Sequence, residues 1–174
     1  ERAVRTVREA GNPDLCLLKC SSAYPAPPDD MNLRTIPHLA ETFGVAVGLS
    51  DHTLGSAAAV AAVVLGACVI EKHFCLSRSI ANPDAAFSME PAEFRQMHDD
   101  IRAVERAMGK VQYGVSAAEE GSVVFRRSLF IVRDMKAGET FTAENLRSIR
   151  PGYGLAPRHY DEVIGRRASG DICR

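Results

Sequence analysis

The sequence predicts an α/β fold built on a parallel β-sheet. Three apolar runs of strand length alternate with helix-like segments in the order strand, helix, strand, helix, strand. The runs are continuously apolar, which is typical of strands that are covered on both faces, and strands joined by a crossover helix run parallel. Both a closed β/α barrel and an open doubly wound sheet satisfy this pattern.

The composition favours small-molecule chemistry in a soluble protein. The chain has 174 residues, of which 46% are apolar, so it can bury a substantial core. Because 21 basic residues balance 22 acidic ones, nothing in the charge favours nucleic acid or a membrane as partner. The longest apolar stretch, residues 57–65, is far shorter than the roughly 20 residues of a membrane span. The 5 cysteines form no CxxC pair, so we expect reduced thiols and a cytoplasmic location.

The first strand and the first crossover helix are predicted from apolar runs and turn residues. A short helix at residues 2–9 precedes a strand at 14–20, which leads into a polar, proline-rich loop at 21–28. Apolar residues then recur at helical spacing up to Gly44, namely Leu33, Ile36, Leu39, Ala40 and Phe43. This segment is predicted to be an amphipathic helix that Gly44 ends.

The second and third strands enclose an uncharged helix. Strand runs at residues 45–52 and 68–73 are separated by the apolar stretch 57–65. Ser56 gives this stretch a polar start and Gly66 a glycine stop, which are the usual signals of a helix beginning and end. The two strands are therefore predicted to be parallel and adjacent.

The rest of the chain contains a long helix and a second small module. An irregular loop at 76–88 precedes a helix closed by Gly109, whose apolar face is formed by Phe94, Met97, Ile101, Val104 and Met108. Beyond a small, polar linker at 114–121, strand candidates at 127–133 and 146–150 flank a turn at 134–139.

We divide the chain into three parts. Residues 1–90 form the sheet domain, 91–121 the connecting helix and linker, and 122–174 the second module. Because Glu1 falls within a helix-like segment and further structure begins before Arg174, we expect the chain to be part of a longer polypeptide.

The ends of the second and third strands carry the candidate site. Side chains alternate between the two faces of a strand, so Ser50 and His52 share one face with Glu71 and His73. Asp51 and Lys72 point to the opposite face. Imidazoles at the carboxyl ends of neighbouring parallel strands can share one divalent metal ion. Hydrogen-bonded structural histidines are the alternative, and the spacing alone leaves both open.

Five motifs, in this order along the chain, resemble the sialic acid synthase family and are most similar to its pseudaminic acid synthase branch. They are SAYPAP at 22–27, GLSDHT at 48–53, GACVIEKHF at 66–74, PD at 83–84 and RPGYGL at 150–155. The resemblance implies a (β/α)8 TIM barrel followed by a small α+β antifreeze-like (SAF) domain. This chain would hold the last three barrel strands, the connecting helix and most of the SAF domain.

The family chemistry implied by this resemblance is a condensation. Members join phosphoenolpyruvate to an N-acetylated amino sugar, form a nine-carbon 2-keto acid and release phosphate with a divalent ion such as Mn²⁺ or Mg²⁺. The SDH and EKH motifs then make His52 and His73 the metal ligands. Lysines and a glutamate from earlier strands also belong to the family site, so we expect residues 1–174 alone to be inactive.

The resemblance implies roles for further residues. Ser50 matches a position that contacts phosphoenolpyruvate, and Glu71 and Asp84 match acidic positions near the metal and the sugar. Tyr24 matches an aromatic residue that packs against the sugar. Arg150 matches an arginine of the SAF domain that enters the site of the partner subunit in a domain-crossed homodimer.

One departure concerns the acceptor sugar. Ser22 stands where sialic acid synthases proper carry asparagine, and Ser22 together with Tyr153 resembles the pseudaminic branch. The implied acceptor is a 2,4-diacetamido-2,4,6-trideoxy hexose of the altro type. Neuraminate or legionaminate synthesis is the first alternative. A non-catalytic module that binds carbohydrate through the SAF-like segment is an alternative of another class.

Overall fold

The computed structural model describes all residues from Glu1 to Arg174. The chain forms two compact units, Glu1–Val111 and Gln112–Arg174. No helix in either unit has the length and apolar character that crossing a membrane requires.

The first unit contains a three-stranded parallel sheet and four α-helices, which confirms the predicted α/β class. In chain order these are α1 (Arg2–Glu9), β1 (Cys16–Cys20), α2 (Thr35–Phe43), β2 (Ala46–Asp51), α3 (Ala57–Val64), β3 (Val69–Lys72) and α4 (Pro91–Met108). The strand order is β1-β2-β3, so the chain moves across the sheet in one direction. Each crossover contains one α-helix.

Register brings the carboxyl ends of the strands to one level. Ser50 of β2 lies between Cys20 of β1 and Glu71 of β3, and Asp51 pairs with Lys72. The strand ladder between β2 and β3 ends at this last pair. The residues that follow, His52 and His73, therefore leave the sheet next to each other.

The core of the first unit lies against the sheet. Ile36 of α2, Leu49 of β2 and Ala62 of α3 are fully buried in its main cluster. A second cluster joins Ala59 to Met97 of α4. The long helix assigned by sequence to the connecting segment 91–121 thus packs on α3 within the first unit, through Met97 and Ile101.

Two helix termini differ in how they are satisfied. Gly44 ends α2 in the left-handed region at φ 60°, as its position in the sequence predicts. Ser56 precedes α3 but makes no capping hydrogen bond. Its hydroxyl instead donates to Asp100 Oδ2 of α4 at 3.2 Å, so it joins two helices.

The second unit contains an antiparallel pair of strands. These are β4 (Ser128–Ile131) and β5 (Leu146–Ile149), followed by a short helix α5 (Tyr160–Val163). The predicted linker at 114–121 overlaps the first part of a 3-10 helix, Ala117–Phe125. Its start is a capping box, in which Glu119 Oε2 accepts the Ser116 N–H at 2.9 Å. The Ser116 hydroxyl also donates to Glu119 Oε2 at 2.6 Å, which lowers the pKa of that carboxyl.

Candidate active site

The two histidines predicted to act together lie side by side. His52 follows β2, His73 follows β3, and their ring centroids are 5.2 Å apart. His52 is buried, with 7% of its surface exposed, whereas the side chain of His73 is 30% exposed. The strand alternation thus places both imidazoles on one face, as the sequence predicts.

The ring of His52 is held in a defined orientation. Its Nδ1 lies 2.8 Å from the carbonyl oxygen of Ser21, so Nδ1–H donates to that oxygen. The lone pair of the neutral ring is then on Nε2, which is the arrangement found in histidines that bind a metal. The backbone carbonyl of His52 also accepts a hydrogen bond from the Ala26 N–H at 2.8 Å. The loop after β1 therefore fixes both the ring and the main chain of His52.

His73 is held by the loop that follows β3. Its carbonyl accepts the Met89 N–H at 2.9 Å, and its Nδ1 lies 3.6 Å from Asp84 Oδ2. That second distance is longer than a hydrogen bond, so the carboxylate faces the ring without fixing its tautomer. Asp84 is also a turn residue, since its N–H donates to Asn82 Oδ1 at 3.0 Å.

Ser50 and Glu71 form the polar floor beside the histidines. The Ser50 hydroxyl donates to Glu71 Oε1 at 2.7 Å across the β2–β3 pair. A cleft of about 280 Å³ opens here, lined by Ser50, His52, Glu71, Lys72 and His73. A carboxylate, a hydroxyl and two imidazoles therefore surround one small volume.

Aromatic rings form one wall of the site. The ring of Tyr24 lies 4.3 Å from that of His52 and 5.5 Å from that of Phe87, and Phe87 lies 4.9 Å from His73. Tyr24 is 53% exposed, so part of its side chain is accessible to a ligand. Phe87 was not identified from the sequence, because it lies in an irregular loop where no periodicity marks it.

Ser22 and an unpredicted cysteine lie at the end of β1. Cys20 Sγ is 3.9 Å from His52 Nδ1 and 4.0 Å from Ser22 Oγ. Cys20 was not predicted as a site residue. It pairs with Ser50 in the strand ladder, so its place at the end of the first strand could have indicated that it lies near the site.

Arg78 anchors the loop that carries Asp84 and Phe87. Its guanidinium binds Glu93 in the first turn of α4, with Nη2 2.9 Å from Oε1, and also donates to the Ser88 carbonyl at 3.1 Å. The hydrogen bond from Arg78 is the main reason why the pKa of Glu93 falls to about 2. No motif marks this ion pair, which joins residues far apart in sequence.

Arg150 belongs to the second unit. It directly follows β5 and is exposed. The segment beyond it is tied down by the Ser128 hydroxyl, which donates to the Pro151 carbonyl at 2.6 Å and accepts the Gly154 N–H at 2.9 Å. The role implied for Arg150 in a partner's site stays a prediction.

The donor set suits a divalent ion with an open coordination sphere. No group of three or more His, Cys, Asp or Glu residues is arranged as a complete metal site. The two imidazoles could bind an ion while leaving positions for water and substrate oxygens, as catalytic metal sites require. Two imidazoles on one face therefore fit a divalent ion, which His52 and His73 would hold.

Comparison with protein families gives the same assignment over both units. Residues 1–113 match the NeuB family and residues 126–173 match the SAF domain. The chain belongs to the NeuB family. This confirms the resemblance to sialic acid synthases drawn from the sequence motifs.

Members of the NeuB family similar to this chain include several named synthases. The pseudaminic acid synthase of Campylobacter jejuni (strain 81-176) is 48% identical over 95% of this chain and 48% of its own length. That of Helicobacter pylori is 42% identical over 96% of this chain and 49% of its own. An N,N'-diacetyllegionaminic acid synthase of Campylobacter jejuni is 40% identical over 90% of this chain and 47% of its own. The chain thus spans about half the length of these relatives.

Solved structures of the NeuB family support the fold. The spore coat polysaccharide biosynthesis protein SpsE of Bacillus subtilis aligns with 99% of this chain and 54% of its own, with a TM-score of 0.59 and 34% identity. The N-acetylneuraminic acid synthetase of Leptospira borgpetersenii aligns with 70% of this chain and 42% of its own, with a TM-score of 0.60 and 30% identity.

Proposed function

We propose that the full-length protein containing this chain condenses phosphoenolpyruvate with a 2,4-diacetamido-2,4,6-trideoxy hexose of the altro type. The products are pseudaminic acid and phosphate. The observation that carries the proposal is the pair of imidazoles 5.2 Å apart above the Ser50–Glu71 hydrogen bond, in a chain 48% identical to a pseudaminic acid synthase.

We propose that β1, β2 and β3 are the last three strands, in chain order, of a (β/α)8 barrel. These strands are parallel and follow one another across the sheet, as barrel strands do, and β1 and β3 each have an unpaired outer edge. The relatives are about twice as long as this chain, which leaves room for five further strands. Active sites of such barrels lie at the carboxyl ends of the strands, where His52 and His73 are found.

The reaction forms one bond between carbons and breaks one between carbon and oxygen. Carbon C3 of phosphoenolpyruvate attacks the aldehyde carbon of the open-chain sugar, whose oxygen becomes a hydroxyl. Water adds to C2, and phosphate leaves with the ester oxygen. A divalent ion, Mn²⁺ or Mg²⁺, held by His52 and His73 would supply a Lewis acid for the aldehyde oxygen.

The residues of the chain bind and orient the reactants. Ser50 contacts phosphoenolpyruvate, since its hydroxyl faces the cleft and is already oriented by Glu71. The carboxylate of Glu71 lines the cleft, and Asp84 Oδ2 lies 3.6 Å from His73 Nδ1. Either carboxylate can orient the attacking water or a sugar hydroxyl. Tyr24 packs its exposed ring against the sugar. Ser22 borders the sugar, and Arg150 reaches the site of the second subunit in a domain-crossed homodimer.

Synthesis of legionaminic acid is a second candidate. The chain is 40% identical to an N,N'-diacetyllegionaminic acid synthase, which supports this candidate. Both reactions use phosphoenolpyruvate chemistry on a related acceptor. Phosphate release measured separately with the two acceptor sugars distinguishes them, since the correct sugar gives the higher kcat/KM.

The proposed metal ligand is tested by replacing it in the full-length protein. We expect His73→Ala to lower metal-dependent phosphate release at least about 100-fold, because loss of an outer-shell partner alone typically costs 10–100-fold. The matched control is His98→Ala, which removes an exposed histidine that also lies beside an aspartate, Asp99 at 2.9 Å. Turnover by His73→Ala at the unaltered rate would rule out His73 as a ligand.

A further inference from the structure

We propose that Asp51 and Lys72 form a positioning pair that sets the spacing of the two imidazoles. The inference rests on the proposed function, in which His52 and His73 bind one metal ion. Lys72 Nζ lies 2.7 Å from Asp51 Oδ2, and the two side chains are 1% and 0% exposed. The pair thus lies inside the first unit, directly beside the candidate ligands in sequence.

The pair reaches both neighbours of His52. Lys72 Nζ also donates to the Thr53 carbonyl oxygen at 2.7 Å, and Asp51 Oδ1 accepts the Thr53 N–H at 2.9 Å. Residues 51 and 53 are therefore both bound to the side chain of residue 72, which precedes His73. These bonds link the residues on both sides of His52 to Lys72, which directly precedes His73.

The hydrogen bonds of Lys72 and Asp51 hold Thr53, which lies beyond the end of the β2–β3 ladder. The β2–β3 ladder ends at Asp51 and Lys72, so no strand hydrogen bond fixes His52 relative to His73. The Thr53 hydroxyl does not fix the turn either, because Thr53 Oγ1 is buried without a hydrogen-bond partner. The contacts of Lys72 and Asp51 are thus what holds this turn to β3.

Stability alone does not explain a buried ion pair here. Removing two charges from water costs free energy, and a well-packed apolar pair of similar volume is often as stable or more so. A salt bridge with fixed hydrogen bonds differs from an apolar pair by its directional geometry. We therefore infer that the role of the Asp51–Lys72 pair is to position the imidazoles of His52 and His73.

The test measures Mn²⁺ binding to the full-length protein rather than turnover. The double variant Asp51→Leu/Lys72→Met removes both charges at once and leaves neither buried alone. We expect it to remain folded, with Mn²⁺ affinity at least about tenfold weaker, as for other residues that orient metal ligands. Unchanged Mn²⁺ affinity in the folded double variant would overturn the proposal, since a purely structural pair would alter only the melting temperature.

A second variant covers the case in which the first double variant does not fold. Asp51→Asn/Lys72→Met keeps an acceptor for the Thr53 N–H and leaves no charge buried alone, but removes the ion pair. We expect a weaker Mn²⁺ affinity here as well, and an unchanged value in the folded variant contradicts the proposal.

The matched control is an ion pair in the second unit. Lys136 Nζ lies 2.7 Å from Asp171 Oδ2, and Asp171 also accepts a backbone N–H, that of Ala137 at 2.9 Å. The variant Lys136→Met/Asp171→Leu should bind Mn²⁺ as the unaltered protein does. If His73→Ala also keeps full affinity, the proposed metal site fails; if only the Asp51 and Lys72 variants keep it, the positioning role alone fails.

Discussion

At the scale of single residues, the site depends on which neighbours orient each ring. His52 is held by a carbonyl of the loop after β1, whereas His73 faces the carboxylate of Asp84 from the loop after β3. Tyr24 connects these two environments, since its ring lies 4.3 Å from that of His52 and 5.8 Å from that of His73. Tyr24 therefore contributes to the site through the shape and position of its ring.

Tyr24 provides a test of this contribution. We expect Tyr24→Ala to raise the KM for the acceptor sugar about tenfold, because loss of an aromatic contact is worth about 0.5–1.5 kcal/mol. Tyr24→Phe keeps the ring and should behave as the unaltered protein does. Steady-state kinetics of the full-length protein measure both values, and equal KM for all three proteins would remove Tyr24 from the sugar site.

Some of these residues follow from strand alternation and others do not. The convergence of Ser50, His52, Glu71 and His73 could be predicted because side chains on adjacent parallel strands must alternate together. Phe87 and the carbonyl of Ser21 could not, since both lie in loops whose path depends on distant contacts.

At the scale of elements, close approach between strands places the site. Gly48 lies between β1 and β3, where an added Cβ would fall inside the contact distance of the Val69 carbonyl oxygen and the Leu18 side chain. Only glycine leaves room for both neighbours at this point. The spacing of the three strands beneath Ser50 and His52 therefore depends on Gly48.

The consequence can be measured as stability. We expect Gly48→Ala to lower the free energy of unfolding by about 1–3 kcal/mol, the usual cost of forcing extra atoms into a packed interior. Gly170→Ala is the control, because an added Cβ there meets no atom within 4 Å and we expect a change within about 0.5 kcal/mol. Denaturant unfolding of the full-length protein gives both values; equal midpoints would contradict the tight packing at Gly48.

Strands and helices could be predicted where a segment carries a clear apolar pattern. The three strands and helices α2, α3 and α4 follow from apolar patterns and from glycine stops such as Gly44. The sequence predicts a linker at 114–121, where the residues are small and polar; the structure shows that a 3-10 helix, Ala117–Phe125, begins within this segment. Its start depends on two hydrogen bonds that Ser116 donates to Glu119 Oε2, from its N–H and from its hydroxyl, which composition does not reveal.

At the scale of the whole molecule, the chain contains a NeuB-family α/β unit followed by a SAF domain. The family match covers residues 1–113 and the SAF match 126–173, in two separately compact units. The histidine pair and its polar floor are complete within the first unit. Under the proposed function, the groups that bind phosphoenolpyruvate through its phosphate and carboxylate lie on strands that precede β1, so the activity tests use the full-length protein.

The central claim is that His52 and His73 jointly bind one divalent ion. Crystals of the full-length protein grown with Mn²⁺, with data collected at the manganese absorption edge, test it directly. The account predicts one anomalous peak within bonding distance of a ring nitrogen of both His52 and His73, and no such peak in His73→Ala. A peak elsewhere, or an ion bound by neither imidazole, would contradict the assignment.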